Sequence, residues 1–443
     1  MILKAVTFPR GGSDIPHRKG ATDKKPIVVL DAPEEVVIPL QQHIGAPCEP
    51  VVSVGDRVKL GQKIGESSAF VSAPIHASVS GEVIGVEERT LLDGRKVRCV
   101  VIKNDFKDEL IEGGQKRRLD QVSAEEIRAI VKEAGIVGMG GAGFPTHVKI
   151  APPKPVDTVI INGAECEPYL TVDHRLMVER AEEMIFGLRA IMKAVGANTG
   201  VIGIEVNKPD AIAKMKELIN LDQRLKVVPL KVRYPQGAEK QLIKAVNGRE
   251  VPSGALPLEV GCIVSNVHTA IAISEAITNG IPLYQRVVTV SGKCVADPRN
   301  ILVRIGTPLK NLLDFCGGLL AEPAVIVGGG PMTGPAVTTL DSPVVKNLSG
   351  VLFLAEDEIA LDENRPCIKC ARCVDVCPMG LTPNMLGLLS SLGKVEQAQK
   401  IHLMDCIECG LCSYICPSRR GLVNWIKAGK QELNARRAKE RAV

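Results

Sequence analysis

Eight of the fourteen cysteines lie between Cys367 and Cys416, in two copies of one spacing. The first is Cys367, Cys370, Cys373 and Cys377 before Pro378; the second is Cys406, Cys409, Cys412 and Cys416 before Pro417. Both read C-x2-C-x2-C-x3-C-P. In this pattern three thiolates on a short loop turn towards one iron–sulfur cube, and the cysteine before proline reaches the neighbouring cube. The rule groups Cys367, Cys370, Cys373 and Cys416 around one 4Fe–4S cluster, and Cys406, Cys409, Cys412 and Cys377 around the other. Structural zinc takes four ligands as two separated pairs, a division that triplets with an outlier do not offer. The chemistry is therefore electron transfer in single steps.

The elements that must hold these loops follow from the residues between them. Leu386, Leu389, Leu392, Val395 and Ala398 are spaced more like helix faces than strands, predicting a helical variant of the two-cluster ferredoxin. Beyond the second loop, Arg436, Arg437, Lys439 and Arg441 form a basic tail that reads as a solvated, frayed terminus, with contact to an acidic protein or lipid surface as its alternative.

A chain of 443 residues suggests about three or four domains. Aromatics make up 3%, so the cores must be aliphatic and base-stacking surfaces for nucleic acid are not expected. The formal charge of +5 is small for this length and demands no acidic partner. No apolar run approaches a membrane span, and the start MILKAVTFPRGG lacks the apolar centre of a signal peptide; both point to the cytoplasm. Thiolate-bound clusters suit that reducing compartment. Cys48, Cys99, Cys166, Cys262, Cys294 and Cys316 lack ligand spacing and read as small buried hydrophobes. Cys166 stands apart from these because it sits between two glutamates.

From about Ile27 to Asn104 the chain reads as short strands and turns. Turns at Gly55-Asp56 and Gly61-Gln62, then an alternating SGEVI strand, resemble the biotinyl and lipoyl carrier barrel-sandwich. The stretch Glu66 to Pro74, where a carrier displays its modified lysine, contains none, so the module should be structural or a docking surface. His43 and His76 have no ligand-spaced partner and read as hydrogen-bonded structural groups.

A helix follows, marked by a capping box at Ser123 and Glu126, an apolar face of Ile127, Ile130, Val131 and Ala134, and a stop at Gly135. It leads into Gly138-Met139-Gly140-Gly141-Ala142-Gly143-Phe144, where bare backbone can approach a phosphate or a flat ring, with Lys149 placed to add a positive charge. Then come a strand at Asp157–Gly163, a run with Glu165 and Glu167, a helix from Glu179 to Val195 closed by Gly196, a strand at Val201–Val206, a helix opened by Pro209 and a strand at Leu225–Leu230. Alternation of strand and helix predicts a parallel sheet with ligands at its carboxyl ends. Glu182, Glu183 and Glu217 read as solvated carboxylates.

GMGGAGFPTHVK and NGAECEP resemble the two flavin loops of the NADH-binding, FMN-carrying subunit family of respiratory complex I and bidirectional hydrogenases. YPQGAEKQLI (Tyr234 to Ile243) resembles that family's glutamate-bearing loop and helix, and Ser265-Asn266-Val267-His268-Thr269 its NNVET stretch. The resemblance implies non-covalent FMN held by Gly138, Gly140, Gly141, Ala142, Lys149, Asn162, Glu165 and Asn266. It also implies Phe144 stacked on the NADH adenine, with Glu165, Glu167 and Glu239 in the catalytic pocket, the last two on the nicotinamide side. Two family carboxylates are replaced, by Ala164 and Ala238. From about Val287 to Ala355 the chain returns to short strands, with a helix opened after Thr307-Pro308, and resembles the β-grasp module that follows the flavin domain. Gly328-Gly329-Gly330 lacks the rest of a phosphate loop and reads as a turn.

The fold class expected is thus multidomain α+β and α/β: a carrier-like barrel at 1–110, a Rossmann-like FMN and NADH domain at 111–285, a β-grasp domain at 286–358 and a helical ferredoxin domain at 359–443. A barrel before the flavin domain and a doubled cluster motif after it resemble the RnfC family of Rnf-type ferredoxin:NAD oxidoreductases. That resemblance implies an NAD-dependent oxidoreductase subunit with FMN and two 4Fe–4S clusters. It would dock on integral-membrane and iron–sulfur partners at the cytoplasmic face of a complex that exports sodium or protons. Two alternatives are a soluble relative serving an amino-acid reductase such as proline reductase, and a cluster-bearing adaptor with a degenerate flavin loop.

Overall fold

The computed structural model describes residues 4–112, 116–360 and 364–442, with the side chains of 441 and 442 left out. Arg441 of the basic tail therefore lies outside the described side chains.

In the barrel, period-2 alternation sorts side chains between core and solvent. Strands Glu35–Pro39, Lys96–Asn104, Gly81–Thr90 and Arg57–Val58 pair in that order, all antiparallel. A second sheet joins Glu49–Pro50, Lys63–Glu66 and Ile75–His76. Val36, Ile38, Ile64, Ile75, Val83, Val100 and Ile102 fill the space between them. His43 is a structural group, its Nε2 within 2.9 Å of the Ser72 hydroxyl and 3.1 Å of the Ala46 carbonyl.

The flavin-type domain is a parallel sheet ordered Leu225–Leu230, Thr199–Glu205, Thr158–Gly163, Cys262–Asn266. Alternation divides its strands between two cores. Val159, Ile161, Ile202 and Ile204 face helices Ala124–Glu133, Ala181–Val195 and Val267–Thr278. Ile160, Val201 and Val264 face helix Glu239–Asn247 on the other side. The Ser123 capping box forms in both directions. Helices Ala181–Val195 and Val267–Thr278 meet at Gly187, where a Cβ would lie 1.9 Å from the Ala270 carbonyl oxygen. The helix expected from Glu179 instead begins at Ala181, because Arg180 leaves helical geometry at φ −130° and separates it from a shorter helix, Val172–Glu179. The first amides of the shorter helix, those of Asp173 and His174, donate to Glu165.

In the β-grasp region strands Arg299–Arg304, Gln285–Ser291, Gly350–Leu354 and Val325–Gly328 form a sheet whose outer edge is completed by Ile27–Val29. That edge strand ends a strap that runs over the other domains before the barrel begins. Val6 exchanges backbone bonds with Pro229 and Lys231, Ser13 with Tyr234, and the Gly12 amide donates to the Val376 carbonyl at 2.8 Å. Farther along, the Tyr169 amide donates to His17, Thr22 meets Thr171, and Lys25 pairs with Asp297. Lys346 makes a second junction. Fully buried, its ammonium donates to Pro74 of the barrel and Gly135 of the flavin-type domain, both at 2.7 Å.

The last domain packs helices Pro383–Ser391, Val395–Lys400 and Leu422–Ala442 around Leu386, Val395, Ala398, Leu403, Ile426 and Leu433. The basic tail is helical rather than frayed. Its residues are strong helix formers, Leu433 anchors them in the core, and Arg436 pairs with both Glu396 and Glu432.

Candidate functional site

The glycine loop is closed by one bond of its own and held otherwise from outside. The Gly138 amide donates to the Phe144 carbonyl, the Met139 amide to the Thr269 hydroxyl, and the Ile44 amide of the barrel to the Gly143 carbonyl. Asn347 of the β-grasp region donates to the Gly141 carbonyl at 3.0 Å. Gly140, Gly141 and Ala142 are left exposed between these anchors. At Gly140 a Cβ would come within 2.7 Å of Asn266 Nδ2, whereas at Gly141 nothing lies within 4 Å. Bare backbone beside open space is what a phosphate or flat ring requires, so these residues fit FMN.

Asn266 is fixed by two duties. Its side-chain oxygen caps helix Val267–Thr278 through the His268 and Thr269 amides, and its Nδ2 donates to Asp173 at 2.8 Å. Asp173 is partly buried; loss of solvation and then the nearby Glu165 charge raise its pKa. Glu165, in the left-handed backbone region at φ 45°, receives the Asp173 and His174 amides. Asn162 spans 2.8 Å to the Gly237 carbonyl and accepts from the Ala164 amide. Phe144 is half-buried. Lys149 and Glu239, a third exposed, pair at 2.9 Å on the open side, with Glu239 as the first residue of its helix.

Two buried lysines that the sequence did not single out lie under the second loop. Lys208 donates to the Ala164 carbonyl at 2.7 Å. Lys19, from the strap, donates to the Glu167 and Leu170 carbonyls and stands 3.7 Å from Glu165. Burial lowers the Lys19 pKa, an effect partly offset by Glu165. The Glu167 side chain is not brought to Lys149 and Glu239 by any hydrogen bond or ion pair among the described residues; its partners are Tyr234, Met332 and Thr333. It accepts from the Thr333 hydroxyl at 2.6 Å and the Met332 amide at 3.1 Å, with the Tyr234 hydroxyl at 3.4 Å, and burial raises its pKa. Gly330 makes room for it, since a Cβ there would fall 2.2 Å from the carboxylate.

The cysteines gather around two cavities. Cys377, Cys406, Cys409 and Cys412 line one, together with Leu386, Leu411 and Ile426. Cys367, Cys370, Cys373 and Cys416 line another. Each quartet draws three thiols from one repeat and one from the other, and thiols around apolar cavities are a donor set that suits iron–sulfur clusters. The first cavity is the inner one: Tyr234 of the flavin-type domain donates to the Cys409 carbonyl at 2.8 Å, and Gln241 reaches Met379. The second is the outer one, with Cys367 and Cys370 exposed. Cys166 lies beneath Gly237, accepts its amide at 3.3 Å, and has its pKa raised by burial.

Four domain families match in sequence order: an RnfC barrel sandwich hybrid domain at 6–107, a Nuo51 FMN-binding domain at 131–275, an SLBB domain at 287–336 and a 4Fe-4S dicluster domain at 359–417. The chain is 48% identical to the C-subunit of the Na(+)-translocating ferredoxin:NAD(+) oxidoreductase complex of Acetobacterium woodii, over 99% of this chain and 100% of that one. This chain belongs to the RnfC family. The proton-translocating counterpart of Clostridium ljungdahlii is also 48% identical, over 98% and 95%, and the ion-translocating counterpart of Rhodobacter capsulatus 41%, over 97% and 84%. Two RnfC relatives named for different ions are equally similar, so overall identity does not track the ion. An NAD+-reducing [NiFe]-hydrogenase chain shares the fold, with a TM-score of 0.51 and 20% identity over 71% of this chain and 63% of its own length. The chain is an NAD-interacting electron-transfer component of an oxidoreductase complex, with an FMN domain and two 4Fe–4S clusters. Among the described residues no helix is long and apolar enough to cross a membrane.

Proposed function

We propose that NAD(H) exchanges a hydride with FMN on the open side of the glycine loop, and that electrons cross to the inner quartet, then the outer one, then a partner subunit. The observation that carries this order is the Tyr234 bond to Cys409, which sets the inner cavity against the flavin loop while exposed Cys367 and Cys370 face outward.

FMN, when bound, supplies the conversion between two-electron hydride and one-electron chemistry. The chain's part is to hold and orient. Gly138, Gly140, Gly141 and Ala142 present backbone to the cofactor, Asn162, Glu165 and Asn266 fix the loops around it, and Lys149 offers a cation. Lys149 and Glu239 are paired with one another, so an incoming phosphate competes with Glu239 for the lysine and frees the carboxylate to orient a nicotinamide. Phe144 would stack on the adenine. Cys367, Cys370, Cys373 and Cys416 hold one cluster, and Cys377, Cys406, Cys409 and Cys412 the other.

The modular division at 110, 285 and 358 belongs to this proposal, as does peripheral attachment to the cytoplasmic face of the membrane through integral and iron–sulfur partner subunits. The test is anaerobic. Clusters are reconstituted, FMN and iron are quantified, and NADH is added while flavin and cluster absorbance are followed together. Bleaching of both is expected. Flavin that stays oxidised would overturn the assignment of NADH as the donor.

A further inference from the structure

The inner quartet draws on both cysteine repeats, and the rest of the chain grips each of them. The strap holds the first repeat: the Gly12 amide binds the Val376 carbonyl, and Gly11, at φ 58°, packs so closely that a Cβ would lie 2.4 Å from the Cys377 carbonyl oxygen. Tyr234 holds the second through the Cys409 carbonyl. A third contact comes from the β-grasp region, where the Met332 carbonyl oxygen would lie 2.6 Å from a Cβ at Gly410, itself at φ 79°. The third contact is aimed by Glu167, which takes the Met332 amide and the Thr333 hydroxyl.

Tyr234 is where the three contacts meet. Its backbone exchanges two hydrogen bonds with Ser13 of the strap, at 2.9 and 2.8 Å. Its ring is 3% exposed, in one apolar cluster with Ile15, Leu411, Cys166, Met332, Val376 and Cys409. Its single hydroxyl proton goes to the nearer acceptor, the Cys409 carbonyl at 2.8 Å, leaving the Glu167 contact at 3.4 Å secondary. A buried phenol that gives its proton to the backbone of a cysteine loop fixes where that loop sits.

We propose that Tyr234 is a positioning residue for electron transfer, the central strut of a brace that keeps the Cys406–Cys412 loop seated against the flavin loop. The proposal rests on the flavin and cluster reading above. Without the hydroxyl the loop spends part of its time unseated, and transfer waits for it to close.

The test compares Tyr234→Phe, which keeps the ring, with Thr333→Val, which removes a Glu167 partner and touches neither cysteine loop. Amide exchange at residues 406–412 is measured without reductant, and NADH-driven flavin and cluster bleaching is followed by stopped flow. Tyr234→Phe should speed exchange in this loop by about three- to tenfold, the effect of one net hydrogen bond on the opening equilibrium, and slow cluster bleaching while leaving flavin bleaching unchanged. Thr333→Val should show a smaller change of the same sign. Wild-type exchange in both variants would overturn the proposal, as would slowed flavin bleaching with normal cluster transfer. Should Tyr234→Phe lose cluster iron, a wild-type exchange pattern in Thr333→Val would overturn it. If NADH leaves wild-type flavin oxidised, the donor assignment fails, while the exchange measurement still decides on the brace.

Discussion

Gly140 and Gly141 are neighbours in the same loop, yet alanine should act on them through different physics. At Gly140 the new Cβ would meet Asn266 at 2.7 Å from Nδ2, 2.9 Å from Cγ and 3.0 Å from Cβ, so the whole side chain has to shift. That shift weakens the cap on helix Val267–Thr278 and the partly buried bond to Asp173. A lost N-cap costs about 1 kcal/mol, and a buried partner left unsatisfied about 1–3, giving about 2–4 kcal/mol for Gly140→Ala in FMN-free protein. At Gly141 a methyl meets nothing within 4 Å and the backbone is outside the left-handed region, so Gly141→Ala should change stability by no more than about 0.5 kcal/mol. Its methyl would instead occupy the space assigned to the cofactor and weaken FMN binding at least about tenfold, the effect of about 1.4 kcal/mol. Urea unfolding of FMN-free protein followed by circular dichroism gives the first quantity, and quenching of FMN fluorescence on titration the second. Wild-type FMN affinity in Gly141→Ala would refute the placement of the cofactor. Wild-type stability in Gly140→Ala would refute the described role of Asn266.

The crossed quartets predict that Cys377→Ser, although it alters the first repeat, abolishes the same electron paramagnetic resonance signal as Cys409→Ser. Cys416→Ser should match Cys370→Ser, each variant losing about half the iron. Burial holds the Lys346 ammonium at about 7, against 10.5 in a solvated chain. Between those values the unfolded chain binds more protons, so this lysine's contribution to stability rises with pH from about 7 to 10. Lys346→Met should flatten that part of the urea-midpoint profile and lower stability at its alkaline end, where Pro74 and Gly135 lose their donor. Gly187→Ala should cost at least about 1–3 kcal/mol by pushing helix Ala181–Val195 off Ala270, read as a lower urea midpoint.

The features legible in sequence are those whose physics is local. Cysteine spacing, the Ser123 capping box, the glycine loop and the turn glycines of the barrel each act over a few residues, and the pattern states the geometry. The strap carries no such signal, because its partners lie far along the chain: Lys19 reaches Leu170 across 151 positions, and Arg233 reaches Phe8 across 225. The same holds for Glu167, whose surroundings are decided by Thr333, 166 positions on. Composition suggested a frayed tail from its charge, but an anchor at Leu433 and partners at Glu396 and Glu432 decide for helix. Arg180 illustrates the limit of periodicity, since one residue out of helical geometry divides a pattern that reads as continuous.

The strap also imposes an order of assembly. It precedes the barrel in the chain, yet every surface it lies on belongs to a later part: Pro229 and Tyr234, then Asn300, then Val376 beside the inner cavity. During synthesis it can settle on Pro229, Tyr234 and Asn300 first, but its last contacts, the Gly12 amide on the Val376 carbonyl and Gly11 packed on the Cys377 backbone, have to wait until the final domain exists. A bulky fusion ahead of Val6 would hinder that closing step.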